Sequence, residues 1–99
     1  MAIAEVSVVP LGTKTPSVSR YVAQAIKVLE QEKGIKYEMT SMGTIIEGDL
    51  DRILAVVKKM HEETFGEGVA RVITTVHIDD RRDKAQGMKA KLDSLKNKL

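Results

Sequence analysis

The 99-residue chain has no cysteine and no tryptophan, and its aromatic residues are two tyrosines and one phenylalanine. Without cysteine there is no disulfide, no thiolate nucleophile and no sulfur-ligated metal. The scarcity of aromatics argues against RNA, because sheet faces that read RNA stack bases on aromatic rings. The hydrophobic pattern instead assigns Tyr21, Tyr37 and Phe65 to the core or its edge. No apolar run nears the roughly 20 residues of a bilayer span. Neither charge sign dominates: 16 Lys+Arg stand against 14 Asp+Glu, a formal net charge of +2. That is too near balance to imply nucleic acid or membrane as a partner. The opening stretch "MAIAEVSVVP" has no basic segment before its apolar one. No signal peptide is therefore expected, and the expected setting is soluble and cytoplasmic.

What is present fits one domain over residues 1–99, small enough that oligomerisation is a plausible source of stability. Residues 3–9 alternate, with Ala4, Val6 and Val8 on one side and Ile3, Glu5, Ser7 and Val9 on the other. This is a strand, and Pro10 is expected to end it. Thr15 followed by Pro16 fits the entry to a helix. Val18, Tyr21, Val22, Ala25, Ile26 and Leu29 carry its apolar stripe, and Gly34 stops it. "IKYEM" and "TIIE", joined by "TSMG", read as two antiparallel strands. Asp49 is expected to cap a second helix, with Leu50, Ile53, Leu54, Val57, Met60, His61 and Phe65 on one face. Residues 69–78 form the longest strand candidate. Met88, Leu92, Leu95 and Leu99 make a narrow, seam-like stripe on a Lys-rich helix.

The order is a twofold repeat of strand, helix, strand. Right-handed crossovers set the halves side by side, which predicts an α+β ferredoxin-like βαββαβ sandwich with an additional C-terminal helix. Two helices cover one sheet face. The other face carries β-branched aliphatics and is expected to be a subunit contact.

Several constellations are candidates for chemistry. Thr13, Thr15, Ser17 and Ser19 gather hydroxyls at the start of the first helix, which suits ordinary capping and equally an anion or a polar heterocycle. Glu47 stands where the third strand meets the second helix, placed to accept from a ligand amine or from loop amides. His61 has no second histidine or carboxylate at metal-ligand spacing, so a satisfied core-edge histidine is expected and no metal. No nucleophile–base pattern stands out, so no catalysis and no cofactor are expected. "IDDRRD", residues 78–83, precedes a basic tail and holds Arg81 and Arg82. It reads as a self-paired cluster docking a second subunit, or as an inorganic-anion site between subunits.

Taken together, "VSVVPLGTKTPSVSRYVA", "MGTIIEGD" and "RVITTVHIDDRRDK" resemble the YkoF-like thiamine-binding family of small archaeal, bacterial and fungal proteins. The resemblance spans nearly the whole chain. It implies a ferredoxin-like fold, assembly into dimers and tetramers, and binding of thiamine or its hydroxymethylpyrimidine part without catalysis. Mapped onto this sequence, it points to Pro10–Thr13, Ser19–Val22, Gly43–Thr44 and Glu47–Asp49. The expected ligand residues are Thr13, Ser19, Tyr21, Met39, Thr44 and Glu47, with the two strand-to-helix ends converging on one side of the sheet. An aminopyrimidine calls for a carboxylate or carbonyl and a few hydroxyls, and the soft thiazolium cation suits Met39, Met42, Tyr21 or Glu47. The expected assembly is a homotetramer built as a dimer of dimers.

Overall fold

The computed structural model describes residues 1–12, 19–66, 68–83 and 87–99, with no side chain described for Ser19. The elements run β1 (Ala2–Leu11), α1 (Ser19–Gln31), β2 (Lys36–Met39), β3 (Thr44–Gly48), α2 (Leu50–Thr64), β4 (Arg71–Asp80) and α3 (Met88–Asn97). The strands form one antiparallel sheet in the order β2-β3-β1-β4. This is the ferredoxin-like arrangement: both βαβ halves contribute one central and one edge strand.

Register decides which side chains share a face. Ala4 stands opposite Ile46 on β3 and Ile78 on β4, and Val6 opposite Thr44 and Val76. That set points to α1 and α2. Ala2, Ala4, Val6 and Ile46 meet Ala25, Ile26 and Leu29 of α1 and Ile53, Val56, Val57 and Met60 of α2, all buried. Leu29, Ile46 and Ile53 are almost wholly removed from water, each stabilising the fold by roughly 1.5–3 kcal/mol. The alternate set, Ile3, Glu5, Ser7 and Val9 with Ile73, Thr75 and His77, lies on the open face.

Four local expectations are corrected. Pro10 does not end β1; it stays in the ladder opposite Val72. β1 has lost β3 as a partner after Val6, and a strand paired on one side only tolerates proline. On α2 the buried stripe is Ile53, Val56, Val57, Met60 and Thr64, while Leu54 faces out. Phe65 also lies largely outside the core, its ring edge-on to His61 at 5.3 Å. Asp49 has extended N-cap backbone but makes no side-chain capping hydrogen bond. The entry to α1 that Thr15 and Pro16 predict lies outside the described residues.

Candidate functional site

The register also separates the two strand-to-helix ends. β1 and β3 are antiparallel neighbours with Ala2 opposite Gly48, so the end of β1 and the end of β3 lie at opposite ends of the sheet. The expected convergence of the two ends does not occur. The six candidate ligand residues divide accordingly.

Met39 and Thr44 come together. They face each other across the β2–β3 ladder and line a cavity of about 290 Å³ with Val6, Val8, Val22 and Met42. The cavity exists because β1 outruns β3. Where the ladder stops, hairpin 40–43 curls beside the free edge of β1, and the first turns of α1 close the other side. Thr40 fixes that hairpin: its hydroxyl donates to the Gly43 carbonyl at 2.8 Å and accepts from the Met42 and Gly43 amides at 3.2 and 3.1 Å. Gly43 passes so close to β1 that a Cβ would sit 2.7 Å from the Val6 carbonyl oxygen. The hairpin wall is therefore held tightly by backbone contacts.

The lining is apolar and unusually exposed. Met39 is 63% exposed, Met42 81% and Val22 39%, and all three border this one cavity. Thr44 supplies a buried hydroxyl on its floor, and Thr40 and Ser41 supply polar groups at its rim. Exposed apolar side chains gathered around a concavity with a few polar groups are the usual make-up of a small-molecule site. Thioether side chains give such a wall the adaptability to lie against a flat ring.

Glu47 is elsewhere. Thr44 and Ile46 face the helices, so Glu47 points to the open face, where it is buried and its Oε2 accepts the Met88 amide at 3.3 Å. Tyr21 sits on α1 beside Gly66, with the Arg20 guanidinium donating to its hydroxyl at 3.2 Å and lying 5.1 Å from its ring centre. It does not border the cavity. Thr13, with Thr15 and Ser17, and the Ser19 side chain lie outside the described residues.

Arg81 and Arg82 are paired within their own segment. Arg81 forks onto Asp83, Nε to Oδ1 at 2.6 Å and Nη2 to Oδ2 at 3.0 Å. Arg82 donates to Asp80 Oδ2 through Nε at 3.1 Å and Nη2 at 2.8 Å. The hydrogen bond from Arg82, aided by its charge, holds the Asp80 carboxyl below the ordinary carboxylate range. The same pairings raise both guanidinium groups further. They border a shallow recess of about 370 Å³ with Asp49 and Leu50 at the start of α2. His61 has the satisfied partner its position implies: Nδ1 lies 2.6 Å from the Thr74 hydroxyl. Among the described residues, no three histidine, aspartate or glutamate side chains gather as a metal site, and no helix is long and apolar enough to cross a membrane.

Sequence reasoning missed Val22 as a lining residue. It satisfies the helix pattern of α1, which does not reveal that this position borders a cavity.

The architecture is thus a ferredoxin-like domain with a small apolar cavity walled by a hairpin and a helix start. The chain belongs to the thiamine-binding protein family, whose model matches residues 4–96. It is 49% identical to UPF0045 protein YqgV of Bacillus subtilis over 102 aligned positions, covering 100% of this chain and 98% of that one. The crystal structure of hypothetical protein MJ1052 from Methanocaldococcus jannaschii superposes with a TM-score of 0.88 at 42% identity, over 96% of this chain and 95% of that chain. A Thermotoga maritima protein shares the fold at a TM-score of 0.77 and 20% identity, over 95% of this chain and 97% of that chain.

Proposed function

We propose that this chain is a non-catalytic, cytoplasmic binding protein for thiamine or its hydroxymethylpyrimidine moiety, and that the ligand enters the cavity between hairpin 40–43 and α1. The observation that carries this reading is the gathering of Met39, Met42 and Val22, exposed, around one concavity in a member of the thiamine-binding family. At about 290 Å³ the cavity sits at the lower end of the roughly 300–1,000 Å³ typical of ligand sites. That size suits the pyrimidine, with the thiazolium held at the mouth against Met39 and Met42. Thr44 supplies a hydroxyl for a ring nitrogen or the exocyclic amine, and ring burial supplies most of the driving force.

Calorimetric titration with thiamine and with hydroxymethylpyrimidine tests the reading. Saturable heat is expected from the parent protein and none from Val22→Trp, which fills the mouth from a surface position on α1. Glu47→Ala, on the other sheet face, should bind as the parent does. No heat with either compound contradicts the ligand, and unaltered binding by Val22→Trp contradicts the site.

The same reading includes a homotetramer. It is supported by the outer edge of β4, which no strand among the described residues covers, and by exposed Ile73 beside it. A second copy pairing on an open edge stabilises both. Light scattering should show four chains per particle; a 10.9 kDa species at micromolar concentration overturns that assembly.

A further inference from the structure

Helix α3 runs across the open face of the sheet without packing on it. No residue of α3 is buried, and Leu92 and Leu95, the middle of its apolar stripe, remain 50% and 57% exposed. Between the helix and Ile3 and Ile45 of the sheet lies a groove of about 800 Å³. Side chains in a packed interface leave few voids larger than a water molecule, so apolar contact is not what holds this helix in place.

Polar contacts tie its first turn to the sheet. Glu47, buried on β3, accepts the amide of Met88, the first residue of α3, at 3.3 Å. That amide is one of the four a helix start leaves unpaired, and a carboxylate there also meets the positive end of the helix dipole. Lys91, one turn on, pairs with Asp79 of β4. The N-cap residue is Gly87, with extended backbone that any residue adopts, so its value lies in space. A Cβ there would stand 2.9 Å from Glu47 Cδ and 3.2 Å from Oε2. The bare backbone of Gly87 leaves room for the carboxylate where it stands, and an added Cβ would displace it.

We propose that α3 is a detachable strap over the open sheet face, clasped at its first turn by the Glu47 carboxylate through the gap that Gly87 leaves. Release of the clasp frees the helix and exposes Ile3 and Ile45, while the sheet and the helix-side core stay intact. The strap and the ligand cavity lie on opposite faces, so the clasp acts without any ligand.

Hydrogen exchange on the unliganded protein tests this. Glu47→Ala removes the acceptor and Gly87→Ala displaces it while leaving Glu47 in the chain. Both should raise exchange of the Leu92 to Leu95 amides by about fivefold to tenfold, the effect of losing a helix cap worth roughly 1 kcal/mol. Protection in β1, β3 and α2 should be unchanged. Glu47→Gln, which keeps an acceptor oxygen, should show a smaller rise. Unchanged α3 exchange in Gly87→Ala overturns the proposal. So does a rise in Glu47→Ala shared equally by β1 and β3, which would make Glu47 a support of the sheet.

Discussion

The two faces of one four-stranded sheet are built on different physics. The helix-side face buries Ala4, Val6, Ile46 and Ile53 almost completely, and its cavity is walled by a hairpin cross-tied at Thr40. The open face carries a longer groove roofed by a helix with no buried residue. A larger void is therefore not the better binding site. A wall positioned by packing and short backbone hydrogen bonds presents its groups in fixed geometry, which is what affinity for a small ring requires. A roof tied on by a carboxylate and an ion pair presents none until it is held.

The sharpest way to break this contrast is to cut the core beneath each face. Ile53→Ala should cost about 2–5 kcal/mol by removing a fully buried side chain and leaving a cavity, read as a fall in the denaturant midpoint. If it costs less than Leu92→Ala, the two faces are not built as described. Next in size is Gly43→Ala. Its Cβ must push the hairpin off the Val6 carbonyl, an overpacking cost of about 1–3 kcal/mol, and ligand affinity should fall with it. Affinity kept at full strength would show that the hairpin is not a ligand wall.

Smaller is Leu92→Ala, expected within roughly 0.5 kcal/mol of the parent in global unfolding, as for exposed positions generally. The smallest concerns Asp80. Arg82 holds its folded pKa below the unfolded value, so its contribution to stability is present above the ordinary carboxylate range, near pH 3.9, and lost as pH falls through the lower folded pKa. Arg82 is exposed and Asp80 only part-buried in the pairing, so the energy is slight. The clean readout is the Asp80 carboxyl titration by NMR, which Arg82→Ala should return upward to the ordinary range. An unmoved midpoint would mean that the pairing seen here is not kept in solution.

Much of the fold was legible because strand and helix periods were unambiguous. Alternation at Ala4, Val6 and Val8 fixed the inward face of β1, and the repeat of strand, helix, strand fixed the strand order. The errors lie where one period cannot decide. Leu54 keeps helical spacing with Leu50 and Val57, yet the stripe drifts towards Val56, and only the packing of α2 on the sheet chooses between them. Pro10 was misread because its tolerance depends on where β3 stops, a property of another segment. The site was legible in part. The family resemblance and thiazolium chemistry put Met39, Thr44 and Glu47 in one expected site; the structure sets Met39 beside Thr44 and turns Glu47 to the other face. A shift of an odd number of residues along a strand puts a side chain on the other face, and Thr44 and Glu47 differ by three. The pairing of Arg81 and Arg82 with their own aspartates matches the self-paired reading of that cluster, and its role between subunits belongs to the proposed assembly.

The measurement that bears most directly on the account is an amide NMR titration with hydroxymethylpyrimidine and with thiamine. The account predicts saturable shifts confined to the amides of residues 39–44 and 22–26, with residues 91–95 of α3 and Glu47 unmoved. Shifts centred on α3 and the open face, with the hairpin silent, would contradict it.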